Sequence, residues 1–162
     1  MSRGADNPGP QPLRLAPIDR TTLALYAAAS SDHNPVHIDS DFARWEGLPD
    51  VFAHGMLSMS YLGRFLTDWI PLSRIRRFSV RFVSRVELGA ALLCSGEILD
   101  INEHDGERLA RVEMRVTGEA GELKVIGEAY VALAPVAGTP PPRNEVQCPR
   151  ACVSSACMVR IR

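Results

Sequence analysis

The sequence predicts an α+β domain in which an antiparallel sheet wraps a single buried helix. Three observations lead there. From Met56 to Ile70 the apolar positions are 56, 57, 59, 61, 62, 65, 66, 69 and 70, and the polar residues at 60, 64, 67 and 68 fall on one narrow side. A helix apolar over most of its girth is one to surround, not one to lay on a surface. After Pro71 the period drops to two: Phe78, Val80 and Phe82 alternate with Arg77, Ser79 and Arg81, the mark of a half-buried strand. Three more strand candidates follow at 92–101, 108–117 and 123–133, separated by the turn-like stretches 103–107 and 118–121.

Taken in order, residues 1–12 are rich in Pro, Gly and Asn and read as a mobile leader. Leu13 to Ile18 suits a short strand. Asp19 stands where a helix N-cap belongs, ahead of the Ala- and Leu-rich run from Thr21 to Ala29. The polar cluster from Ser30 to Pro35 ends that helix, because the residue before a proline is pushed out of helical conformation. Asp41 to Glu46 suits another helical turn, closed by Gly47 and Pro49. The buried helix begins at His54-Gly55 and Pro71 stops it. Beyond Pro135 the chain is Pro- and Gly-rich, with Pro140, Pro141 and Pro142 in a row, and residues 136–162 read as a disordered or loosely docked tail. One domain, 13–135, lies between leader and tail.

The chain has 162 residues, 46% hydrophobic and 23% charged, which suits one globular domain and excludes global disorder. A net charge of -1 argues against nucleic-acid binding driven by bulk charge. No apolar run approaches the roughly 18 residues of a membrane span, and the expected setting is cytoplasmic. Cys94 sits in an apolar run and reads as a buried thiol; Cys148, Cys152 and Cys157 lie in the tail at a spacing that does not suit a structural zinc site.

Two segments could carry chemistry. In Asp32-His33-Asn34-Pro35-Val36-His37 a carboxylate and an imidazole are five residues apart across a proline, which rigidifies the bend and can aim both at one point. With ordinary pKa values of about 3.9 and about 6.5, such a pair can hold a water while one member takes a proton and the other gives one. The plainer reading is a helix-terminal loop in which Asp32 and Asn34 bond to backbone. In His54-Gly55-Met56 the first turn of the helix offers unpaired N–H groups, and the glycine lets a ligand approach the backbone. That could stabilise an oxyanion; the plainer reading is a tight entry turn with His54 packed beneath it. Ser58 and Ser60 have no neighbouring feature that would activate either. Arg74, Arg76, Arg77, Arg81 and Arg85 form a basic stretch that suits a solvated strand face, or less often an acidic carrier protein or a phosphate. Dinucleotide and phosphate-loop signatures are absent.

Together these residues resemble a family. Asp32-His33-Asn34-Pro35-Val36-His37-Ile38-Asp39 with Phe42-Ala43, then Ala53-His54-Gly55-Met56, resemble the signature of the MaoC-like (R)-specific enoyl hydratases. The stretch from Gly47 to Met59 is similar to the catalytic subunit of the (3R)-hydroxyacyl-ACP dehydratases of type II fatty acid synthesis. The resemblance covers about residues 13–134. It implies a hot-dog fold, a curved antiparallel sheet around a long central helix. It also implies reversible syn hydration of a trans-2-enoyl thioester on CoA or an acyl carrier protein, in fatty-acid or polyketide metabolism. Asp32 and His37 match the catalytic dyad, Gly55 the N–H that polarises the thioester carbonyl, and Asn34 the supporting residue. His54, Met56 and Met59 are expected beside the substrate. The apolar helix face with Met59, Leu62, Phe65 and Leu66 is expected to border an acyl tunnel as well as the core, pure core packing being the plainer reading for each residue. No metal or redox cofactor is implied. A homodimer, or a heterodimer with another hot-dog subunit, is. Partners on a nucleic acid or a membrane are not expected.

Three positions depart from the pattern. Ser31 stands where many members carry Gly, His33 where an apolar residue is common, and Gly63 where some have a serine near the dyad. Two other readings stay open on the sequence: a non-catalytic hot-dog protein that binds acyl thioesters or supports a partner, and a hot-dog thioesterase.

Overall fold

A computed structural model of the chain describes residues 9–133. The expected leader is only partly within this range; Pro10 at its end is buried. The expected tail, 136–162, with its three cysteines, lies outside the described residues.

Five antiparallel strands form one sheet in the order β1-β3-β4-β5-β2: β1 Leu13–Arg14, β2 Ile75–Phe82, β3 Leu93–His104, β4 Glu107–Thr117 and β5 Leu123–Ala132. Three helices precede β2: α1 Arg20–Ser30, α2 Ser40–Trp45 and α3 Gly55–Thr67. The sheet curls around α3, whose Leu62, Phe65 and Leu66 are buried among Val112, Met114, Val116 and Val125 of the strands. The pattern of an apolar-girthed helix predicts this wrapping, and the hot-dog fold that the family resemblance implies is present.

Local chemistry explains each boundary. The Asp19 carboxylate caps α1 by accepting the Thr22 N–H at 2.7 Å. Ser31 closes α1 in the left-handed region, φ 59°, the conformation for which glycine is the default. Asp39 caps α2, accepting the N–H groups of Asp41 and Phe42. Between β3 and β4 the two-residue loop Asp105-Gly106 has positive φ at both positions (51° and 76°), the hairpin geometry that Asp-Gly favours.

Central packing depends on two glycines. Val80, Gly127, Met114 and Gly96 lie in one row across the sheet. A Cβ on Gly96 would meet the Glu113 carbonyl oxygen at 2.7 Å and Phe65 at 3.1 Å, and one on Gly127 would meet Leu62 at 3.1 Å. Bare backbone at these two points lets α3 sit close to the strands.

The structure corrects some boundaries. The expected strand from Leu13 to Ile18 is regular only over Leu13–Arg14, since Pro17 lacks the N–H needed to continue the ladder. Leu15 and Ile18 still donate to the Leu92 and Ala90 carbonyls. The bend at Pro35 is a 3-10 turn over Pro35–His37, and a second one, Leu72–Arg74, leads into β2. Phe78 and Val80 face the core as expected, whereas Phe82 at the strand's end is 48% exposed.

Candidate active site

The site assembles where the end of α1, the 3-10 turn and the start of α3 meet. Ser31's left-handed turn redirects the chain to Asp32. Asn34 then caps the 3-10 turn, its side-chain oxygen accepting the Val36 N–H at 3.2 Å, and that turn carries His37 inward. Asn34 therefore works on backbone, as the plainer reading has it, and the cap is what aims His37. From the other side, Ala53 donates to the Val86 carbonyl and Phe52 bridges to Glu87, so the chain enters α3 alongside the segment that follows β2.

Asp32, His37 and His54 converge: each offers an oxygen or nitrogen atom within 4.8 Å of the others. Asp32 is exposed, His37 is 8% exposed and His54 is 1% exposed. The His37 Nδ1 lies 2.8 Å from the Phe52 carbonyl oxygen. A carbonyl only accepts, so Nδ1 carries the proton and Nε2 is left for chemistry. Burial lowers the pKa of His37 below its ordinary value of 6.5 and the neighbouring His54 pushes the same way, against the Phe52 hydrogen bond and the Asp32 charge. A neutral imidazole at neutral pH results.

His54 holds this arrangement from beneath. Its Nε2–H donates to the Asp32 main-chain carbonyl at 3.1 Å, and its ring packs at a tilt against His37, 4.0 Å between centroids, and against Tyr26, 5.0 Å between centroids. One carboxylate and two imidazoles could also take a first-row divalent cation. Among the described residues this is the group that could hold a metal.

Gly55 opens α3, and helix geometry leaves its N–H without an intrahelical acceptor. It lines a groove of about 320 Å³ with Phe52, Ala53, Ser58, Phe82 and Arg85 among its walls. The space where a Gly55 side chain would sit faces the Phe82 ring at 3.4 Å. Arg85 lies over the Phe52 ring, 5.6 Å from its centroid. Because Phe52 also makes an edge contact with His37 at 4.7 Å between centroids, the groove and the dyad share a wall.

Of the residues expected beside the substrate, Asp32, His37, His54 and Gly55 come together. Met56 is half-exposed on the outer face of α3, and Met59 is half-buried; neither lines the groove. Leu62, Phe65 and Leu66 sit in the core against the sheet. Sequence reasoning missed Phe52, Ser58, Phe82 and Arg85. The spacing of three from Gly55 to Ser58, which puts both on one helix face, was the available signal for Ser58. Phe52 and Phe82 reach the site through strand pairing, and Arg85 lies on the segment between β2 and the Phe52–Glu87 bridge; no local pattern encodes either.

Residues 6–120 match the family described as MaoC like domain. The (R)-specific enoyl-CoA hydratase of Aeromonas caviae is 31% identical over 113 residues, 68% of this chain and 83% of that protein. The fatty acid synthase subunit beta of Saccharomyces cerevisiae is 31% identical over 126 residues, 74% of this chain; the match spans only 6% of that protein's length. Among solved structures, the (R)-hydratase from A. caviae involved in PHA biosynthesis superposes with a TM-score of 0.69 at 28% identity, covering 81% of this chain and 100% of that one. The fold, the paired motifs and these matches agree, and the chain belongs to the MaoC-like domain family.

Proposed function

We propose that this chain catalyses the reversible hydration of trans-2-enoyl thioesters to (3R)-3-hydroxyacyl thioesters, as a hydro-lyase. The observation that carries the reading is the convergence of Asp32 and His37, with Nδ1 of His37 locked onto Phe52, next to the open first turn of α3 at Gly55. A pure scaffold has no need for two titrating groups held in this way. The match to an enoyl-CoA hydratase over most of that protein's length supports the same reading.

The proton inventory fixes the order of events. At rest Asp32 is a carboxylate and His37 is neutral with a bare Nε2. A water held between them adds its oxygen to C3 of the enoyl group. The C2–C3 electron pair shifts onto the thioester oxygen as an enolate, at the Gly55 N–H and the positive end of α3. Asp32 polarises the water and the released proton passes to His37 Nε2. The resulting imidazolium, acidic because burial opposes its charge, returns the proton to C2. One water is consumed and the enzyme ends as it began. Because the oxygen and the proton leave from the same dyad, addition is on one face. Dehydration reverses each step.

In this reading His54 is a positioning residue. It fixes the Asp32 main chain and backs the His37 ring. The substrate is carried on CoA or an acyl carrier protein, in a cytoplasmic setting, within fatty-acid or polyketide metabolism. A second hot-dog subunit, identical or related, completes the assembly; the outer edge of β2, unpaired among the described residues, and the exposed Met56, Phe82 and Val83 near the groove support this.

Variants test the dyad directly. Asp32→Asn and His37→Ala should each lower kcat for crotonyl-CoA hydration by at least about 10²-fold, with unchanged circular dichroism. His54→Asn should cost much less than His37→Ala. Near-wild-type rates in both dyad variants would transfer the chain to the non-catalytic reading.

A further inference from the structure

We propose that the Ser58 hydroxyl is a second donor to the thioester carbonyl oxygen, acting beside the Gly55 N–H. This rests on the hydratase reading above and adds a residue to it. Ser58 is 1% exposed, and its Oγ has no hydrogen-bond partner among the described residues. Serines inside helices commonly turn their hydroxyl back onto a carbonyl of the preceding turn. Ser60, two residues on, does so, donating to the Leu57 carbonyl at 2.7 Å. Thr67 does so with Arg64 at 3.2 Å. Ser58 does not, so its proton is available.

Direction follows from helix geometry. Side chains on a helix lean toward its N-terminus, so Ser58 covers the turn that begins at Gly55. Both residues line the same groove. An oxygen seated on the Gly55 N–H therefore lies on the side toward which Ser58 points. A buried hydroxyl without a partner is a cost to the folded state, which is offset when it donates to a ligand. Most other walls are apolar; of the two further polar side chains there, Ser84 already donates to the Leu123 carbonyl and Arg85 lies over the Phe52 ring, which leaves Ser58 as the hydroxyl with a free proton on the Gly55 side. Two donors, one from backbone and one from Ser58, would fix the carbonyl in direction as well as stabilise its charge.

The role separates from a structural one by experiment. Ser58→Ala removes a buried unpartnered hydroxyl, so its Tm should stay level or rise. Its kcat for crotonyl-CoA should fall by about 10²-fold with KM little changed. Ser58→Thr, which keeps the hydroxyl, should retain most of the rate. In an Asp32→Asn background, which slows turnover, difference infrared spectroscopy of freshly bound crotonyl-CoA reads the carbonyl stretch. It should lie below that of free crotonyl-CoA and move part of the way back when Ser58→Ala is added. Wild-type rates in Ser58→Ala overturn the proposal while the hydratase reading stands. So does a lowered rate with an unmoved carbonyl stretch, which would make Ser58 a packing residue. Failure of the wild-type chain to bind or turn over crotonyl-CoA overturns both.

Discussion

His37 is held neutral by its surroundings, and this has two consequences that can be measured. Its folded-state pKa lies below the ordinary 6.5, with burial the leading cause. Between the two values the unfolded chain binds the proton and the folded chain does not. Stability therefore rises with pH through that window, and is lost as pH falls from about 6.5 toward the lowered value. Tm followed from pH 7 downward should drop, and the drop should be shallower in His37→Gln. The same protonation removes the Nε2 acceptor, so kcat/KM for hydration should show an acid limb below the ordinary histidine range. At Ser31 the expectation is a gain: φ 59° disfavours a side chain, and Ser31→Gly should stabilise the fold by up to about 1 kcal/mol in chemical denaturation. The departure from glycine at this position is visible in the sequence; that it falls on a left-handed residue is visible only in the backbone. Asp32, His37 and Gly55 stand out as candidates through the family their motifs resemble; residue types alone left the plainer reading of a backbone-bonded loop and a tight entry turn open. Ser58 does not stand out, since a serine in an apolar helix carries no mark of whether its hydroxyl turns back to the helix or outward.

At the level of elements, the period change at Pro71 and the apolar girth of α3 located the helix and the strands within a few residues. Capping chemistry at Asp19 and the Asp105-Gly106 hairpin were equally readable. The seat of the helix on the sheet was not. Gly96 and Gly127 are isolated glycines in strand sequences, and only the cross-strand register brings them under Phe65 and Leu62. Gly96→Ala should therefore cost about 1–3 kcal/mol in denaturant unfolding, because the new methyl meets a backbone oxygen that cannot move aside. A variant as stable as wild type would show that α3 has room to shift. The acyl path is a similar case. Leu62, Phe65 and Leu66 share the helix face expected to border a tunnel as well as the core; they pack in the core, as the plainer reading has it, while the groove opens past Gly55, Ser58 and Phe82. Helical periodicity identifies an apolar face without saying whether a sheet or a ligand covers it.

For the whole molecule, burial holds the Cys94 thiol up at about 12. Iodoacetamide labelling read by peptide mass spectrometry should leave it unmodified until the protein unfolds. Among the described residues the sheet ends at β2, whose outer edge has no strand beside it and whose last residue, Phe82, is half-exposed over the groove. Light scattering at micromolar concentration should accordingly report a dimer, or a monomer that dimerises when a related hot-dog subunit is added; a monomer in both conditions would contradict the proposed assembly. Among the described residues no helix is long and apolar enough to cross a membrane. The central proposal, hydration rather than hydrolysis or passive binding of an acyl thioester, is tested most directly by chiral product analysis after incubating the full chain with crotonyl-CoA. The expected product is (3R)-3-hydroxybutyryl-CoA, with no free CoA thiol released. Free CoA, the (3S) product or unconsumed crotonyl-CoA would contradict it.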